Sequence, residues 1–246
     1  MAWEFDSRRA ARDGRDLGEA GGFGRVREFT GTAAATFMAG VYRWMTLGLV
    51  VTAGVALYTA SNLPLAMKVA QNIWPLIIVQ FLLVLALSFM AQRVSGPVAA
   101  LMFLVYAGLT GLTLSGIFFI YTIGSIGAAF LITAGAFFAL SLYGTVTKRD
   151  LSAWGTFLFM GLIGVVIASF VQFFWTSPAF SFVLSCATVV VFAGLTAYDT
   201  QKLRALGAQY AGTGLTSVTI VGALNLYLDF LNLFLALLRL FGGRRQ

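Results

Sequence analysis

Histidine is absent from these 246 residues, cysteine occurs once, proline four times, and charged residues make up only 10%. Without histidine there are no histidine metal ligands, no Ser-His triad, no intramembrane Ser-His protease and no histidine pH switch. The lone Cys186 lies in an apolar stretch, so no internal disulfide can form and cysteine usage says nothing of the redox compartment. Pro64, Pro75, Pro97 and Pro178 all fall in connections or first helical turns, where a missing N–H costs least. A transporter built on proline-interrupted half-helices therefore finds no support. The three lysines, Lys68, Lys148 and Lys202, all sit at the ends of apolar runs, which excludes a buried Schiff-base lysine of the retinal-binding kind.

What remains is overwhelmingly apolar. Hydrophobic residues make up 59% of the chain, more than a soluble domain of this size could hide, so lipid must be the solvent for most of it. From Phe37 onward, apolar runs of about 20 residues recur, each long enough to cross ~30 Å of hydrocarbon. They fall at 37–60, 73–91, 97–120, 124–147, 154–175, 179–201 and 215–241. The chain reads as an all-α integral membrane protein with seven transmembrane helices in one domain over 31–246. Residues 1–30 differ, holding six acidic residues, six arginines, several glycines and no apolar run. That composition predicts a disordered cytosolic tail and not a signal peptide, which needs an apolar core after a basic start.

The net charge is +7, yet basic residues sit singly or in pairs at the ends of apolar runs. This is the positive-inside pattern of a membrane protein, not a stripe for nucleic acid. Arg93 lies between spans two and three, Lys148 and Arg149 between four and five, and Lys202 and Arg204 between six and seven. The alternate connections carry no basic residue apart from Lys68, so the N-terminus is expected in the cytoplasm. Arg239, Arg244 and Arg245 run against this count. The last helix either spans against a weak signal or re-enters. The short connections, without glycosylation or retention signals, point to a bacterial inner membrane.

Small residues recur four apart at Ala107 and Gly111, Gly111 and Ser115, and Gly124 and Ala128, a spacing that lets helix backbones approach closely. After Glu28 only three acidic residues remain. Asp150 follows Lys148 and Arg149 in a connection, where a solvated loop charge is the ordinary explanation. Asp199 and Asp229 lie in the last two spans, and a charge at mid-bilayer costs roughly 2.5–3.5 kcal/mol on insertion scales. Thr196 shares a face with Asp199. Asn225 and Asn232 flank Asp229 at helical spacing, so a polar stripe runs down a Leu/Phe-rich helix and should face the bundle interior. If Asp199 faces the same interior, the two carboxyls cannot both ionise readily and share a proton, a pH-sensitive element without histidine. The plainer reading makes each aspartate a packing residue, protonated or hydrogen-bonded to Asn or Tyr neighbours. Arg93 is either a snorkelling topology anchor or a counter-charge for Asp199.

The segments VYRWMTLGLVVTA (41–53), FMAQRVSGPVAALMFLVYAGLTGLTLSGIF (89–118) and LYGTVTKRDLSAWGTFLFMGLIG (142–164) resemble the Bax inhibitor-1 (transmembrane BAX inhibitor motif) family. The likeness is strongest in VFAGLTAYDTQKLRAL (191–206) and ALNLYLDFLNLFLALLRLFG (223–242). It covers about 35–242 and implies six helices surrounding a central seventh. It also implies a pH-sensitive calcium leak in which Asp199 and Asp229 form the proton-sharing pair and Arg93 latches the closed state through Asp199. The sequence departs from some bacterial members at Leu82, where they carry an acidic residue, which puts an accessory cation site on that helix in doubt.

The expected function is therefore a passive cation leak, calcium being the ion carried and not a tightly bound cofactor. Asp199 and Asp229 would hold calcium weakly or transiently, because two acids fall short of the six to eight oxygens of a tight site. Two alternatives stay open. One is an interaction protein that modulates a membrane-bound quality-control protease through the tail and the connection at Lys148–Asp150. The other is a proton-coupled cation carrier. An enzyme is not expected, since no nucleophile–base set or metal-ligand cluster is present.

Overall fold

The computed structural model describes residues 31–89, 93–172, 174–175, 177–209 and 216–245. The disordered tail expected over 1–30 lies outside them. The described residues are helical almost throughout. The order is α1 (Gly31–Ser61), α2 (Leu63–Gln71), α3 (Ile73–Phe89), α4 (Gly96–Leu114), α5 (Ile117–Ile120), α6 (Ile123–Val146), α7 (Ser152–Gln172), α8 (Pro178–Gln209) and α9 (Thr216–Phe241). α4 and α5 run on as one 25-residue span, Gly96–Ile120. Six spans are long and apolar enough to cross a bilayer alone, and α2 with α3 makes a seventh if the bent pair counts as one.

The span expected over 73–91 is found as α3, but a separate short helix, α2, precedes it across that bend. The Asn62 side chain accepts the Leu65 N–H at 3.3 Å and Pro64 occupies the first turn, which starts α2 early. Asn72 then stops it, its side-chain amide donating to the Lys68 carbonyl at 2.8 Å, and α3 leaves at 73°. Lys68 thus belongs to a short helix that buries only Ala66 and Val69. The other large difference lies in α8, which continues to Gln209, eight residues past its expected end at 201. Its polar last turns hold onto the α6–α7 connection, with Gln201 Nε2 donating to the Arg149 carbonyl at 2.9 Å.

α9 is the centre of the bundle. Its most apolar window is 72% buried, against 11–33% for the other five single-helix spans. It packs on α1, α4, α6 and α8, while α3 lies on α4 and α7 on α8. Lipid is as apolar as leucine, so close packing and buried hydrogen bonds must hold such a bundle together. At Gly111 a Cβ would come within 2.6 Å of the Thr52 carbonyl and 2.8 Å of Val55, and Ala107 is fully buried, so α4 meets α1 as the small-residue spacing expects. Gly124 has nothing within 4 Å of that position, and both it and Ala128 are exposed. That pair is not a helix contact, because the start of α6 faces outward.

The last helix runs from one end of the bundle to the other and does not turn back within it. It begins beside the start of α4, where Gly96 packs on Thr216, and ends beside the α5–α6 connection. There Thr122 N–H donates to the Gly243 carbonyl at 3.2 Å and Arg245 N–H to the Ile120 carbonyl at 2.9 Å. Arg244 and Arg245 therefore lie at the end of the bundle opposite the start of α9.

Candidate functional site

Two adjacent helices supply the acids. Asp199 stands on α8, half-buried, and Asp229 on α9, with 4% of its surface exposed. Both line one cleft of about 520 Å³ between α7, α8 and α9. The carboxyls lie within electrostatic reach of each other. Asp229 Oδ2 is buried without a hydrogen-bond partner. A buried polar atom left unpaired costs roughly 1–3 kcal/mol, so its presence here asks for a reason beyond packing.

The polar stripe on α9 enters the same space. Asn225 and Asn232 both line the cleft. Asn232 Nδ2 donates to the Leu228 carbonyl at 2.8 Å, which fixes the amide and leaves its oxygen as an acceptor. Thr196 behaves differently. It is fully buried, and its hydroxyl donates back to the Phe192 carbonyl of its own helix at 2.7 Å, so it does not line the cleft.

Arg93 is not brought to the cleft either. It lies exposed in the turn between α3 and α4 and makes no ion pair with Asp199. A long side chain at a helix end gains more by reaching water than by entering the bundle. The cation that lines the cleft is Lys202, one turn beyond Asp199, and its charge acts on that carboxyl. Its ammonium sits 5.8 Å from the centre of the Tyr198 ring, within cation–π range.

Sequence reasoning left out Tyr198 and the α7 wall, where Gly155, Thr156, Phe159 and Leu162 complete the cleft. A Cβ at Gly155 would stand 2.5 Å from the Tyr198 ring, so the glycine makes room for the tyrosine. Asp199 and Lys202 are three apart, a same-face spacing on a helix. Lys202 takes that place because α8 continues past 201 to Gln209 instead of giving way to a connection. Among the described residues, no three acidic or cysteine side chains gather as a resident metal would require.

Fold and site together define an integral membrane protein whose central helix and its neighbour present a pair of carboxyls to a shared polar cleft. The family model described as "Inhibitor of apoptosis-promoting Bax1" matches residues 34–246. The inner membrane protein YbhL of Escherichia coli (strain K12) is 51% identical over 216 residues, covering 85% of this chain and 92% of the relative. An uncharacterized protein of Deinococcus radiodurans is 48% identical over 210 residues, with 85% and 91% covered. The uncharacterized protein RP147 of Rickettsia prowazekii is 43% identical over 216 residues, with 85% and 90% covered. The chain belongs to the Bax inhibitor-1 family.

Proposed function

We propose that this protein is a passive cation leak of a bacterial inner membrane, with calcium the leading candidate ion, gated by protonation of the Asp199–Asp229 pair. The observation that carries the reading is the shared cleft, which Asp199 lines together with Asp229, whose buried Oδ2 has no hydrogen-bond partner among the described residues. Two neighbouring carboxyls away from water share a proton rather than both ionising, so the pair changes charge as a unit with pH. At higher pH the ionised pair holds a cation and the route is shut; protonation releases the cation and opens it. Four side chains, the two aspartates and two asparagines, offer oxygens to a passing ion, too few for a tight calcium site.

The Arg93 latch implied by the family resemblance requires the α3–α4 turn to move onto the end of α8. Lys202 already lines the cleft beside Asp199, and in this reading it is the counter-charge that needs no such movement. The inner-membrane placement rests on the relative from Escherichia coli, whose name states it. The cytoplasmic N-terminus rests on the basic residues at Arg93, Lys148, Arg149, Lys202 and Arg204, whose segments meet through Gln201 with Arg149, Arg204 with Thr145 and Gly96 with Thr216.

The test is calcium influx into liposomes loaded with a calcium-sensitive dye, from pH 5.5 to 8.5. Flux should rise as pH falls, and Asp199→Asn and Asp229→Asn should flatten that dependence. Saturable flux tied to a counter-moving proton would replace the leak with a carrier. No flux above empty liposomes at any pH would remove transport altogether and leave the protease-partner reading.

A further inference from the structure

A second cavity, of about 440 Å³, opens where the α6–α7 connection meets the last turns of α8. Lys148, Arg149 and Lys202 line it, against one carboxylate, Asp150. The walls are built rather than loose. Gln201 Oε1 accepts the Leu151 N–H at 2.9 Å while its Nε2 donates to the Arg149 carbonyl at 2.9 Å, pinning the connection to α8. Arg204 Nη1 donates to the Thr145 carbonyl from the same helix. Asp150 Oδ1 accepts the Ser152 N–H at 2.9 Å. None of the three cations makes an ion pair with a described residue.

This basic cavity runs into an apolar groove of about 460 Å³ between α6, α7 and α8, the two sharing Arg149, Asp150 and Tyr198. The groove is lined by Leu140, Tyr143, Trp154, Phe157 and Val190. Of these, Tyr143, Trp154, Phe157 and Val190 are exposed on the outer face of the bundle, where lipid is the solvent. Cations clustered at a helix end, continuous with an apolar channel that descends beside aromatic side chains, match one kind of occupant. It has an anionic head and a hydrocarbon tail.

We propose that this composite site binds an anionic phospholipid. The phosphate lies among Lys148, Arg149 and Lys202, and an acyl chain lies along Trp154 and Phe157. A basic pocket between transmembrane helices is suited to such a headgroup. The groove supplies what a free phosphate would not need. The site does not depend on the leak reading, since binding can be measured whether or not the protein conducts.

The experiment titrates the full chain in detergent with short-chain phosphatidylglycerol, phosphatidylcholine or sn-glycerol 3-phosphate and follows the thermal midpoint. Phosphatidylglycerol should raise the midpoint at concentrations where the other two do not. The apparent affinity should fall about five-fold for each cation removed, in Lys202→Gln and in Lys148→Gln/Arg149→Gln. Trp154→Ala/Phe157→Ala should weaken binding while keeping the preference for the anionic head. A charge-matched control at distant sites, Lys68→Gln/Arg239→Gln, should behave as wild type. Equal effects of both lipids, an equal loss in the control, or full stabilisation by glycerol phosphate alone would each overturn the proposal.

Discussion

The Tyr227 hydroxyl on α9 meets Thr52 Oγ1 on α1 at 2.6 Å, and the same threonine donates to the Ala107 carbonyl of α4 at 2.9 Å. With its own hydrogen committed to Ala107, Thr52 accepts from Tyr227. Three helices are thereby joined at one buried point, with Phe103 and Tyr106 edge-on to the tyrosine ring. Interhelical hydrogen bonds in membranes average about 0.6 kcal/mol and reach about 1.7. Tyr227→Phe should cost an amount in that range. Thr52→Val should cost more, because it also leaves Tyr227 without its partner. Reversible unfolding in mixed micelles measures both, and equal stability of all three proteins would show that the contact holds nothing.

Gly144 sits where α6 crosses α8, and a Cβ there would run into the carbonyl oxygen of Ala197. The obstacle is backbone, which cannot swing aside. Gly144→Ala should therefore destabilise by about 1–3 kcal/mol, the usual range for overpacking. Gly124→Ala tests the opposite case. With nothing within 4 Å, it should be neutral or slightly stabilising through helix propensity. The comparison of the two midpoints separates close packing from mere small-residue spacing.

The contrast also shows what the chain discloses by itself. Span number, the paired aspartates and the asparagine stripe of α9 were legible, because an apolar run and an unpaired intramembrane acid each carry a large energetic signature. Three features were not. The 73° bend at Asn72 rests on local capping within an apolar stretch. The extension of α8 to Gln209 depends on Gln201 clasping a distant connection. The α7 wall of the cleft is set by a glycine making room for Tyr198. The first is a local cap hidden in an apolar run and the other two depend on contacts between segments far apart in sequence, none of which periodicity can register.

Asp150 lies outside the membrane spans, and its acidity is set locally. The Ser152 hydroxyl and backbone N–H hold its carboxyl below the usual carboxylate range. For a depressed acid, the stabilising contribution is present above the unfolded value of about 3.9 and is lost as pH falls through the lower folded value. Hydrogen-exchange protection at the start of α7, taken relative to the intrinsic rate at each pH, should therefore be constant from neutrality down to about pH 4 and fall below it. Asp150→Asn should abolish that acid dependence. An unchanged profile in the variant would assign the acid sensitivity to another group.

Asp229 allows a separation of function from stability. A packing residue loses stability when replaced, whereas a buried carboxyl with an unpartnered oxygen carries a penalty that replacement relieves. Asp229→Ala should therefore leave the unfolding free energy unchanged or raised, by up to about 2 kcal/mol, while removing pH-dependent flux. A stability loss larger than about 1 kcal/mol with intact flux would return Asp229 to a packing role.

Two cations compete for the latch, and their positions make opposite forecasts. Lys202 lines the cleft beside Asp199, while Arg93 is exposed in the α3–α4 turn. If the cation already beside Asp199 holds the closed state, Lys202→Ala should leak at pH 8 and Arg93→Ala should resemble wild type. If closure requires the α3–α4 turn to swing onto α8, the order reverses. Charge alone cannot explain either result, since each variant removes one positive charge from the same end of the bundle. A crosslink between Arg93→Cys and Asp199→Cys, in a background with Cys186→Ala, reports the swing directly. Rapid crosslinking with silent Lys202→Ala would favour the moving latch, and slow crosslinking with a leaky Lys202→Ala would favour the fixed one.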